Sequence, residues 1–162
     1  MYAPDGISVK PFTSIDVRNA FQASPTGPFL DYVGTTGNAT TGGPQYKWNT
    51  FTTVTYSNGP GSLGVHWRHL PSIDNQISVT NPASPVLGAE AWDNFDLFLG
   101  WKISEKFQVR GGVDNLLDRD PPRVGQDPTL LNSSVGNANG VTLPGNYDVL
   151  GRRYYFGVKS RF

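Results

Sequence analysis

Cysteine is absent from this 162-residue chain. That excludes a disulfide scaffold, thiol catalysis and a Cys-ligated metal. Charge is scarce: 16% of residues are charged, against about 25% in ordinary globular chains. Thirteen basic and thirteen acidic residues cancel. With no net charge and no basic cluster interleaved with stacking aromatics, nothing points to nucleic acid. Long apolar runs are also missing. Nowhere do about 18 apolar residues follow one another, so no transmembrane helix is expected. The opening MYAPDGISVKPF has neither a basic n-region nor a continuous apolar h-region, and is not read as a secretory signal. A membrane β-strand escapes both tests, because it needs only about 9–11 tilted residues of alternating character.

What the chain has in quantity is glycine (19), proline (13) and aromatic side chains (12%, four of them Trp). With short alternating segments, this profile implies one all-β domain. The last segment shows the alternation best. In YDVLGRRYYFGVKSRF, residues Tyr154, Phe156, Val158, Ser160 and Phe162 share one parity, and Arg153, Tyr155, Gly157, Lys159 and Arg161 share the other. Side chains alternate across a strand, so one face is aromatic-aliphatic and the other basic.

The same split recurs at 93–103, with Phe95, Leu97, Leu99, Trp101 and Ile103 against Asp96, Gly100 and Lys102. At 107–117, Phe107, Val109 and Val113 oppose Gln108, Arg110 and Asp114. Two further strands are expected at 45–57 and 62–70, joined by the tight turn Asn58-Gly59-Pro60-Gly61; Phe51 breaks the first of them. Residues 6–21 alternate moderately, but Pro11 demotes them to an edge or bent strand. The expectation is an antiparallel, curved up-and-down meander of about five strands. Its links run long (22–44), short, long (71–92), short, long (118–146). Tight turns on one rim and long loops on the other are the plan of an outer-membrane barrel.

Three segments resemble one family. DNFDLFLGWKISEKFQVRGGVDNLLDRDPP (93–122) resembles the penultimate hairpin of TonB-dependent receptor barrels, with its Asn-Leu-x-Asp signature at Asn115, Leu116 and Asp118. The terminal segment resembles the family's last strand, with Gly151 and Arg152 leading in and Phe162 closing it. The hairpin over 44–70 resembles the one before. This resemblance implies an open segment of a transmembrane barrel of about 22 strands with a plugged lumen. Such a barrel actively imports a siderophore, cobalamin or glycan-type ligand, energised through TonB. Its lipid-facing residues would be Phe95, Leu97, Leu99, Trp101, Phe107, Val109, Val113, Tyr154, Phe156, Val158 and Phe162. Its lumen-facing residues would be Lys102, Arg110, Asp114, Arg153, Lys159 and Arg161. Gly157 and Phe162 resemble the signal read by the barrel-assembly machinery, although Ser160 stands where an apolar residue is usual. The implied partners are outer-membrane lipid, the rest of the barrel with its plug, the assembly machinery and the TonB complex. No plug, TonB box or signal peptide is recognised, so the chain is expected to be part of a longer receptor. Neither enzymatic activity nor a cofactor is expected. The alternatives are a soluble β-sandwich carbohydrate-binding module, with Trp48, Trp67, Trp92 and Trp101 as stacking platforms, and a complete small barrel.

Motifs with chemical meaning elsewhere have a plainer reading here. GPGSLG (59–64) matches G-x-G-x-x-G, but a strand rather than a helix follows, so a hairpin turn is expected. His66 and His69, three apart on a strand, point to opposite faces and cannot chelate one metal. Asp93 and Asp96 likewise have opposite parities, against a glycosidase pair. Asp114, Asp118 and Asp120 with Arg119 and Arg123 are expected to form a charged network, joined by Arg152, that fixes the start of the third long loop. Calcium-loop spacing is lacking. The basic inner-face set, Lys47, Arg68, Lys102, Arg110, Arg153, Lys159 and Arg161, is read first as a wall that is polar because it faces water and plug, with steering of an anionic ligand as the lesser alternative.

Overall fold

The computed structural model describes residues 5–37, 43–125, 142–143 and 145–161. Their main element is one antiparallel sheet of six strands: β1 (Gly6–Ile15), β4 (Trp48–Asn58), β5 (Gly61–Leu70), β6 (Trp92–Lys102), β7 (Phe107–Asp114) and β8 (Arg153–Ser160). The spatial order β1-β4-β5-β6-β7-β8 follows the chain, so the sheet is an up-and-down meander. It stays open, with β1 and β8 at opposite edges.

The sheet has six strands rather than about five. The edge strand expected over 6–21 is β1, which pairs with β4 from Gly6↔Ser57 to Ile15↔Trp48 straight through Pro11↔Thr52. Proline removes a ladder donor, and an edge strand has one side without a partner, so the loss is tolerated there. The first long link also holds structure where a plain loop was expected. Ala20–Gln22 (β2) and Phe29–Asp31 (β3) form a two-stranded ribbon. Its return is fixed by Asp31 Oδ1, which accepts the backbone N–H groups of Val33 and Asn19. Those two bonds hold the Asp31 carboxyl below the usual carboxylate range.

The register makes the two faces continuous. Ile7, Val9 and Ile15 on β1 align with Tyr56, Val54 and Trp48 on β4. The row continues through Leu63, Val65 and Trp67 on β5 and Leu99, Leu97 and Phe95 on β6. Val113, Val109 and Phe107 on β7 follow, then Tyr154, Val158 and Ser160 on β8. Nothing among the described residues covers this face: Ile7, Tyr154 and Phe156 are each 74% exposed. The buried cluster lies elsewhere, at the long-loop rim. It gathers Tyr46, Leu70, Ile73, Ala89, Trp92, Val124, Leu143 and Tyr147. Trp92 and Leu70 are register partners with the parity of the polar face, so the links pack onto the sheet's polar side.

Candidate functional site

The polar face is the surface that side chains shape. Glycines on it sit directly opposite bulky residues of the next strand. Phe98 faces Gly64, Tyr155 faces Gly112 and Arg110 faces Gly157. A Cβ at Gly64 would lie 2.2 Å from the Phe98 ring, and one at Gly112 would lie 2.4 Å from the Tyr155 hydroxyl. Each glycine is therefore the floor on which its neighbour's side chain lies. Across these floors runs an aromatic ridge. Phe51 stacks on His66 at 5.4 Å between centroids and His66 on Phe98 at 4.6 Å. The His66 ring is fixed by a 2.8 Å hydrogen bond between Nδ1 and the Thr53 hydroxyl. Beside the ridge is a groove of about 550 Å³ that includes His66, Phe98, Tyr155 and Arg110. Rings and a guanidinium along one groove can hold a flat or anionic group by stacking and charge.

The candidate lumen-facing residues all fall on this polar face. Lys102 aligns with Gln108 and Gln108 with Lys159; Arg110 aligns with Gly157 and Asp114 with Arg153. Arg161 follows β8, its backbone N–H donating to the Lys106 carbonyl at 3.0 Å. The candidate lipid-facing residues share the opposite face, with Phe107 opposite Ser160, Val109 between Trp101 and Val158, and Phe156 opposite Gly111. Phe162 lies outside the described residues. Sequence reasoning missed the ridge. Its signal was present: Phe51, Phe98 and Tyr155 are large rings at the parity of charged and hydroxyl side chains.

The Asn-Leu-x-Asp and Gly-Arg motifs meet at the long-loop rim. Asn115 (φ 50°) and Asp118 (φ 52°) occupy the left-handed region, which Asn and Asp tolerate better than other side chains. Asn115 is 1% exposed. Its amide donates to the Arg119 carbonyl at 3.1 Å and accepts the Arg119 N–H at 2.9 Å, closing a ring around the turn. Its own N–H donates to Asp96 at 2.8 Å. Asp118 accepts the Arg152 backbone N–H at 2.9 Å, next to Gly151 at φ 70°. The two motifs thus tie the exit of β7 to the approach of β8.

The charged network expected there divides into parts. Arg153 reaches Asp148 at 2.9 Å and Asp114 at 3.4 Å. Arg119 lies 3.8 Å from Asp93 and donates to the Ala91 carbonyl. Asp118 is held by the backbone of Arg152 rather than by its guanidinium. The histidines take opposite faces, as their spacing requires. His69 stacks on Trp48 at 4.9 Å and bonds Asp93, which also accepts the Trp67 indole N–H. That cluster sits at the long-loop end of the apolar face. Asp96 points the other way, toward Asn94 and Asn115. Among the described residues no group of three His or carboxylate side chains could hold a metal ion.

In the cap, the Tyr46 hydroxyl donates to that of Tyr147 at 2.9 Å, and Tyr147 meets Trp92 edge-on at 5.5 Å. Burial pushes both phenols above their ordinary value, Tyr46 well above it. Arg68 lies over the Trp92 ring, 5.1 Å from its centre.

No protein-family model, curated protein or solved structure matches the chain.

Proposed function

We propose that this chain is a wall segment of an outer-membrane, TonB-dependent transporter, non-enzymatic, for a siderophore, cobalamin or glycan-type ligand. The supporting observation is the inside-out distribution of the sheet. Its apolar face is continuous and exposed across six strands, while its polar face carries most of the glycines and charges and the packed links. A soluble sheet buries its apolar face; a membrane barrel turns it to lipid and keeps the polar face in the lumen. Strands β1, β4, β5 and β6, of 10 or 11 residues, fit the length a tilted membrane strand needs, about 9–11 residues. Trp48 and Trp67 at one end of the apolar face and Trp101 at the other stand where interfacial girdles stand. In this reading the remaining strands and a plug complete the barrel, and the long links face outward.

The test is expression of the chain as an in-frame part of a barrel, with outer-membrane fractionation of two neighbouring variants. Val54→Lys puts a charge on the apolar face and Thr55→Lys puts the same charge on the polar face. Val54→Lys should lose assembly, at a cost of about 2–4 kcal/mol for a lipid-facing Lys near the midplane, while Thr55→Lys should assemble. Equal assembly of the two would falsify the face assignment. A detergent-free monomer with native Trp fluorescence would instead support the soluble binding module. A detergent-free dimer would mean that a second copy covers the apolar face.

A further inference from the structure

At the short-turn rim the polar face carries a different kind of site. A cleft of about 580 Å³ is lined by Lys102, Lys106, Lys159 and Arg161, with Glu105 as its one carboxylate and Ser62 among its hydroxyls. The β7–β8 register and the Arg161 N–H to Lys106 carbonyl bond hold three of these cations on adjoining backbone. At the opposite rim three cations have partners within the chain: Arg153 on Asp114 and Asp148, Arg119 on Asp93, Arg68 on Trp92. Lys106, Lys159 and Arg161, by contrast, have no carboxylate partner among the described residues. The nearby Asp5 carboxylate accepts the Gly59 N–H at 2.7 Å. These three cations, with Lys102 beside them and Glu105 as the one carboxylate of the lining, give the cleft a cationic wall.

We propose that this cleft binds a phosphate-bearing anion, such as a phosphate ester or pyrophosphate. Four nearby cationic side chains suit an anion of several charges better than a monocarboxylate, and the Arg161 fork matches two phosphate oxygens at once. The volume exceeds that of one inorganic phosphate. Lys102, Lys159 and Arg161 lie on the face opposite the apolar one, so the ligand reaches them from the aqueous side. The site is built by the sheet and its turns alone and does not depend on the transporter reading.

The experiment is titration of the full chain with inorganic pyrophosphate by calorimetry, in neutral detergent or in buffer, whichever keeps it monodisperse. Saturable one-to-one binding is expected, weakening as salt rises. Lys159→Gln/Arg161→Gln should weaken it at least about tenfold, since the double variant removes two of the charge-assisted hydrogen bonds to the anion. Lys106→Gln, in a turn and outside the strand ladder, should weaken it in the same direction and decides the matter if the double variant does not fold. Binding equal in wild type and variants overturns the proposal. So does binding seen only when phosphatidylglycerol is added and never with pyrophosphate, because the anion is then a lipid headgroup. Failure of membrane assembly leaves this titration readable, and an absent titration leaves the assembly result intact.

Discussion

Asn115 shows how much one side chain holds at the long-loop rim. It combines a left-handed backbone, two hydrogen bonds to Arg119 and an N–H bonded to Asp96. Asn115→Ala removes the two side-chain bonds and puts a less tolerant residue at positive φ. The expected loss is about 2–3 kcal/mol, read as a lower midpoint in denaturant titration. Asn115→Asp, which keeps an acceptor for the Arg119 N–H, should lose less; equal losses would mean that the side chain carries little. Trp92 is the other such residue, 1% exposed between Arg68 and Tyr147. Trp92→Ala should cost about 3–5 kcal/mol.

The Tyr46–Tyr147 pair adds a pH dependence to the cap. Both phenols are raised by burial above their ordinary value, so the folded cap favours the protonated form. The stability they contribute is complete below the unfolded value of about 10 and is lost as pH climbs beyond it. Near-UV circular dichroism of the cap aromatics should therefore fade above about pH 10 in the wild type, and less steeply in Tyr46→Phe. Indistinguishable curves for the two proteins would show that the pair does not set this behaviour.

At the scale of elements, parity carried most of what could be read from sequence. It separated the two faces of β6, β7 and β8 because one row in each is aromatic or aliphatic at nearly every step and the other holds the basic side chains. It also served at β1, where Pro11 pointed to an edge or bent strand and β1 is an edge of the sheet. The two short strands of the first link were hidden because three-residue strands are too short to show a period. The aromatic ridge left its rings visible in the parity but not their stacking. Phe51, His66 and Phe98 come from three strands, and their stacking depends on a register and on glycine floors that no single strand displays. Gly64→Val should lower stability, since its side chain would meet the Phe98 ring. Gly64→Val/Phe98→Ala should recover part of the loss. No recovery would mean that the clash with the Val54 backbone carbonyl dominates.

For the whole molecule, the decisive property is an apolar face that nothing among the described residues covers. Exposed apolar patches on soluble monomers rarely exceed a few hundred Å², and this one spans every strand of the main sheet. The chain should therefore need detergent, lipid or a partner surface, and its two free edges should promote strand-to-strand association without them. Size-exclusion chromatography with and without detergent checks this directly.

The even number of strands has a consequence for geography. Gly6 pairs beside the Asn58–Gly61 turn, and Ser160 pairs with Phe107 beside the next short turn. Both ends of the sheet thus leave from one rim, and the links over 71–91 and 115–152 leave from the other. If the sheet spans the outer membrane as proposed, a protease or antibody added to intact cells should reach an epitope placed in the 71–91 link and miss epitopes at both ends together. One end accessible and the other shielded is an outcome that a six-strand meander does not allow.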